Sequence, residues 1–333
     1  MKNIRELRGQ KIASRLLDAY LKSAVPPLLI LHGPEGTGKW SAAEAFIQQK
    51  LCSAGTGCGT CPNCRKILAG EHPDFIQFPE DRIAIGEPQD PQPFTIRWLL
   101  KTRIMYSPFD GDMRFVLFPR ADLIQNEAET ALLKTLEEPP PHTRFIFLVH
   151  SLDDLKATVV SRGVCVPFGR LPLDMLREFQ GVRPEHAEML GGSLHLLPFF
   201  YTPLHKAMLE KIESGLNHPL AMRELEKWLI GGERKRFADL QGDEDYTYGE
   251  IVEIFTLMLL RAFDEMEKKE QEVPVSSGGP SLGQPASPGH WTAMRKAVFE
   301  FKADYRKDMS GLQPYLLSRL FHRLAMNQFS SNR

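Results

Sequence analysis

The stretch HGPEGTGKWSAAEAF, residues 32–46, decides how the rest of the chain is read. From Gly33 through Gly38 to Lys39 it matches G-x-x-x-x-G-K. In such a loop the glycines let successive backbone N–H groups converge on a phosphate at a helix N-terminus, and the lysine adds a charge for the β and γ phosphates. Gly33, Gly36, Thr37, Gly38 and Lys39 are therefore the candidate residues for ATP or ADP. The next position breaks the pattern. Where a serine or threonine hydroxyl would hold magnesium the chain has Trp40, whose indole donates one hydrogen bond and accepts none, and Ser41 is one residue out of register.

Working outward, PLLILHG is a short apolar run ending in glycine, as a buried parallel strand requires, and SAAEAFIQQKL after the loop reads as a helix. KIASRLLDAYLKS has helical spacing upstream. Downstream, MRFVLFP from Met113 and TRFIFLVH from Thr143 read as two further strands. Between them lies the helical QNEAETALLKTLEE, ended by Pro139, Pro140 and Pro141. This alternation predicts an α/β domain on a parallel sheet. After about residue 168 helical periodicity takes over, as in PLHKAMLEKIESGL and YGEIVEIFTLMLLRAFDEMEKK, so the second half is expected to be all-α. VPVSSGGPSLGQPASPG, residues 273–289, reads as a flexible insertion between helices.

The 333 residues are 42% hydrophobic and 25% charged, an ordinary globular composition with room for two or three domains. Lys plus Arg (41) balances Asp plus Glu (42), so no global positive field draws the chain to nucleic acid unaided. Without a membrane-length apolar run or a signal-like N-terminus, the expected location is cytoplasmic, with no membrane partner.

Hydrolysis would need a second strand ending in acidic residues. RFVLFPRADL ends instead in Pro119 and Arg120; Asp122 lies beyond those slots and is expected to cap the next helix. Metal chemistry is better supported elsewhere. Cys52, Cys58, Cys61 and Cys64 cluster in CSAGTGCGTCPNC, with two-residue gaps on either side of Cys61, which suits a tetrahedral Zn2+ site. No His, Asp or Glu falls inside the cluster, so the expected role is structural. Arg162, in TVVSRGVCVPF, is a candidate arginine finger acting on a neighbouring subunit's nucleotide, although most arginines merely solvate a surface.

Taken in order, Gly9-Gln10, the phosphate loop, the four cysteines, GEHPDF (70–75), ALLKTLEEPPPHTRFIF (131–147), TVVSR (158–162) and LGGSLHLL (190–197) resemble the bacterial clamp-loader AAA+ subunits of DNA polymerase III. Within that family the pattern is most similar to delta-prime, with gamma/tau second. The resemblance covers about the first 200 residues. It implies a RecA-like AAA+ domain (1–167) with the zinc insertion (52–64), a helical lid (168–210) and a helical collar for oligomerisation (211–333). It also implies a hetero-pentameric ring with gamma/tau and delta subunits, acting on the sliding clamp and primer-template DNA during replication.

Position by position, the four cysteines match the family's zinc ligands and Arg162 matches the arginine of its Ser-Arg-Cys motif. The first cysteine gap is shorter than usual, and Gly163 replaces the motif's cysteine. Pro119 and Arg120 stand in the acidic slots, Val149 and His150 where a polar sensor threonine is expected, and His195 near the lid's sensor arginine. These losses coincide at positions serving hydrolysis within the chain, whereas Arg162 would serve a neighbour. The expectation is a delta-prime-like stator without ATPase or polymerase activity of its own. The rivals are an ATP-hydrolysing gamma/tau-type subunit and a zinc module that contacts DNA; only Lys50, Arg65 and Lys66 add basic charge around the cysteines, which argues against the latter.

Overall fold

Strand β1 (Leu28–His32) lies between two parallel neighbours and is apolar over most of its length for that reason. In a computed structural model, residues 3–230, 237, 240, 246–272, 290–307 and 313–329 are described. The segment 273–289, expected to be a flexible insertion, lies outside them. The chain divides into two compact units, Met1–His195 and Leu196–Arg333.

The first unit is built on β1, β2 (Phe75–Gln77), β3 (Arg114–Phe118), β4 (Thr143–Val149) and β5 (Val164–Pro167). Their order is β2-β3-β4-β1-β5 and every pairing is parallel, with Leu28 opposite Phe145 and Ile30 opposite Cys165. Side chains alternate across a sheet. Leu28 and Ile30 therefore join Val116, Phe118, Phe145 and Phe147 in one core, while Leu29 and Leu31 join Phe115, Leu117, Ile146 and Leu148 in the other.

The helices α1 (Lys11–Lys22) and α2 (Lys39–Leu51) cover the second of these cores, together with α3 (Pro62–Leu68). The other face is covered by α4 (Ile96–Trp98), which runs on into a π-helical turn over Leu99–Arg103, by α5 (Asn126–Glu137) and by the short α6 (Ala157–Val160). Two short helices, α7 (Leu173–Leu176) and α8 (Pro184–Met189), follow β5. Two helical faces on a parallel sheet make the α/β architecture anticipated above.

The second unit is helical in its described residues: α9 (Pro203–Asn217), α10 (Pro219–Ile230), α11 (Tyr248–Glu272), α12 (His290–Lys307) and α13 (Gln313–Phe329). Helix α9 starts on Thr202, whose hydroxyl accepts from His205 N, and it buries Leu204, Met208, Ile212 and Leu216 at four-residue intervals. It runs unbroken across residues 210 and 211. Phe255, Leu259, Met294, Val298, Phe321 and Leu324 supply further fully buried side chains from α11, α12 and α13. Among the described residues no helix is long and apolar enough to cross a membrane.

The structure adds two strands that the sequence reading did not include. β2 and β5 are only three and four residues long, and β5 follows an arginine and a glycine, so neither presents a run distinguishable from loop. It also corrects the role of Asp122. The N-cap of α5 is Gln125, without a side-chain cap bond, and Asp122 sits in a 3₁₀ turn (Ala121–Leu123), where its carboxylate accepts from the Arg120 guanidinium. An adjacent cation outcompetes the backbone N–H groups for that acid.

Candidate functional site

The phosphate loop leaves the carboxyl end of β1, the end at which parallel α/β sheets bind ligands. Gly33, Gly36 and Gly38 have φ of 138°, 63° and 96°, a region that side chains disfavour. Space restricts two of them as well. A Cβ on Gly33 would lie 2.0 Å from Phe168 O, and one on Gly36 would lie 2.1 Å from His195 N.

Lys39, the first residue of α2, turns its ammonium back onto the loop, donating to Gly33 O and to Pro34 O, the latter at 2.7 Å. Burial holds its pKa down at about 8; Arg120 depresses it further while Glu35 and Asp122 oppose the shift. Thr37 donates its hydroxyl to Pro34 O at 2.7 Å. The loop's outer edge is held by the 193–195 segment: Ser193 Oγ donates to Glu35 O at 2.5 Å, Leu194 N donates to Gly36 O at 3.0 Å, and His195 Nε2 lies 3.4 Å from Glu35 Oε2.

Gln10 is a site residue that sequence reasoning used only as a family marker. It is 4% exposed, and its amide donates to Thr37 O (3.3 Å) and Gly169 O (2.6 Å) and accepts from Gly169 N (2.9 Å). One side chain thus ties the phosphate loop to the segment leaving β5.

The positions around the loop that would serve hydrolysis are filled otherwise. Trp40 packs its indole against the core between the sheet and α1 and α2. Beyond β3, Arg120 donates to Asp122 three times, Nε to Oδ1 at 3.0 Å and to Oδ2 at 3.2 Å and Nη2 to Oδ2 at 2.8 Å, and this pairing raises its pKa. Val149 is buried at the end of β4 and has no hydroxyl to offer; its carbonyl and that of His150 accept from Gly33 N.

The four cysteines come together at the end of α2. Cys52 caps α2; Cys61 is the N-cap of α3, accepting from Cys64 N at 3.4 Å. Gly55, Gly57 and Gly59, all at positive φ, turn the chain between Cys52 and Cys61. The sulfurs of Cys52 and Cys58 are 3.7 Å apart, those of Cys52 and Cys61 3.9 Å, those of Cys58 and Cys64 4.0 Å, and all four lie within 4.8 Å of one another. Four sulfurs at the zinc–thiolate distance of about 2.3 Å from a tetrahedral ion would be about 3.8 Å apart, so the set could hold such a metal. Cys61 N donates to Cys58 Sγ at 3.3 Å, a bond that favours the thiolate.

The GEHPDF motif has a structural use near this module. Asp74 is fully buried and accepts from Phe109 N (2.8 Å), Asp110 N (2.7 Å) and Arg114 Nη2 (3.2 Å). Arg114 in turn donates to Tyr106 O at 2.9 Å and Ser107 O at 3.0 Å. A buried ion pair therefore shapes the loop between α4 and β3.

Arg162 follows α6 with its side chain 30% exposed. Its Nη1 donates to Thr158 O at 2.5 Å and its Nη2 to Glu137 Oε1 at 2.5 Å. Gly163, where the family motif has cysteine, abuts β1: a Cβ there would lie 2.5 Å from Ile30 Cδ1.

A parallel sheet in the order β2-β3-β4-β1-β5, with a glycine loop between β1 and the helix that follows it, defines a P-loop protein of the AAA+ class. Residues 9–172 match the family model described as DNA polymerase III, delta subunit. The chain is 34% identical over 139 residues to DNA polymerase III subunit delta' of Yersinia pestis, covering 40% of this chain and 39% of that one. To subunit tau of Salmonella typhimurium it is 31% identical over 150 residues, covering 44% of this chain and 22% of the relative. To subunit delta' of Bacillus subtilis it is 26% identical over 196 residues, 57% of each. Over this N-terminal part the chain is similar to the delta-prime, tau and gamma subunits of the bacterial DNA polymerase III clamp loader. The matches span less than two thirds of those relatives' lengths.

Proposed function

We propose that the chain is a delta-prime-like, non-hydrolysing subunit of the clamp loader. It joins gamma/tau and delta subunits in a ring and helps place the sliding clamp on primed DNA. The division into a RecA-like domain, a helical lid and a helical collar belongs to this reading, as does Zn2+ as the structural ion of Cys52, Cys58, Cys61 and Cys64.

One observation carries the proposal. Beyond β3 the two slots for acidic residues hold Pro119 and an Arg120 already paired to Asp122, so a cation stands where hydrolysis needs a metal-binding acid. Trp40 and Val149 remove the neighbouring hydroxyls. Lys39 and the glycine loop remain able to cradle a phosphate, so nucleotide retention without turnover fits the same residues.

Arg162 keeps a partly exposed guanidinium on this chain and acts in trans on the adjacent ATPase subunit. Copurification with gamma/tau and delta subunits, followed by ATPase assays of the assembled loader, tests the proposal. Arg162→Ala should lower the assembled rate by up to roughly 10³-fold, the low end for arginine fingers, and by less where other subunits keep their own. Failure to assemble, or an unchanged rate, would remove the assignment.

A further inference from the structure

The arginine segment is tied to two of the glutamates of helix α5, Glu129 and Glu137. At its start, Glu129 accepts from Lys156 N at 3.1 Å and pairs with Lys156 Nζ at 3.0 Å, with the glutamate side chain only 8% exposed. The same ammonium donates to Asn126 O at 3.0 Å and Thr130 Oγ1 at 3.3 Å. Between the ties, Val159 is fully buried in the core that α5 also enters. At the end, Glu137 Oε1 receives Arg162 Nη2, and Thr158 O receives Nη1.

From this geometry we infer that Glu137 is a positioning residue: it orients the Arg162 guanidinium towards a phosphate held by a neighbouring subunit. The inference rests on the reading of Arg162 as a trans-acting finger. A guanidinium has five N–H donors in a rigid fork. Nη1 donates to Thr158 O and, at 3.5 Å, to Ser161 Oγ, and Nη2 donates to Glu137, which leaves Nε–H and one Nη2 hydrogen for an anion. Glu137 is half-exposed, so water screens its charge, and its main effect is to select a rotamer rather than to cancel the cation. Glu129 supplies the other half of the arrangement by fixing the backbone from which Arg162 projects. Thr158 supplies a carbonyl that any residue would offer and Ser161 Oγ accepts from Nη1 only at 3.5 Å, so the main side-chain contribution to orientation comes from Glu137.

Ordering one rotamer-rich side chain changes a rate by about two- to tenfold. Glu137→Ala and Glu137→Gln are tested in the full chain assembled with gamma/tau and delta subunits, with ATP as the probe. Expected for Glu137→Ala is a two- to tenfold loss of the part of kcat that Arg162→Ala removes, with KM for ATP unchanged. Glu137→Gln, which keeps an acceptor oxygen, should lie between Glu137→Ala and the unaltered chain. In an Arg162→Ala background neither substitution should have any further effect.

A Glu137→Ala loader at full rate, an effect that persists without Arg162, or a rise in rate would overturn the positioning role while leaving the trans-acting reading intact. An Arg162→Ala loader at full rate would remove both. Native mass spectrometry of each assembly separates loss of the ring from loss of orientation.

Discussion

Lys39 is the residue on which the proposed nucleotide binding turns. Its ammonium is half-withdrawn from water and bonded to loop carbonyls, so a phosphate would have to displace those carbonyls. Its pKa of about 8, against an ordinary 10.5, gives a direct check: the Lys39 ¹³Cε resonance should titrate with a midpoint near 8. Between about 8 and 10.5 the folded chain has released a proton that the unfolded chain still binds, so this residue's contribution to stability rises with pH through that window. A midpoint near 10.5 would show the amine out in water. Asp74 is a second residue with a sharp consequence. Removing one partner of a buried ion pair strands the other, so Asp74→Ala should destabilise the first unit by about 3–5 kcal/mol in denaturant titrations. A change under about 1 kcal/mol would mean that Arg114 finds water or another acceptor.

At the scale of elements, the cysteine loop is the part that a metal should hold. Native mass spectrometry of the purified chain should show one zinc equivalent. Its removal by a chelator should open residues 52–64 to protease, while the sheet, whose two cores lie elsewhere, keeps its structure. A metal-free chain with equal protection would contradict this. What the sequence revealed follows the range of the interactions. β1, β3 and β4 were readable because burial on both faces makes a continuous apolar run, and the cysteines because their spacing is local. β2 and β5 are too short to show a period and exist through their pairing with β3 and β1. Gln10 meets Gly169 across 159 residues and Arg162 meets Glu137 across 25, so no local pattern announces either bond. Asp122 departs from the helix-cap expectation because Arg120, two residues away, makes a stronger, charge-assisted bond to it than a helix terminus offers.

At the scale of the molecule, the proposed function divides the labour between this chain and a neighbour, with turnover left to the neighbour and Arg162 serving it. In that proposal the chain contributes shape and a cation to a ring whose ATP is turned over elsewhere. The most direct test is phosphate release by the isolated chain at saturating ATP and Mg2+, alongside Lys39→Ala. Release at background for both proteins is the expected result; turnover by the unaltered chain that Lys39→Ala abolishes would contradict it.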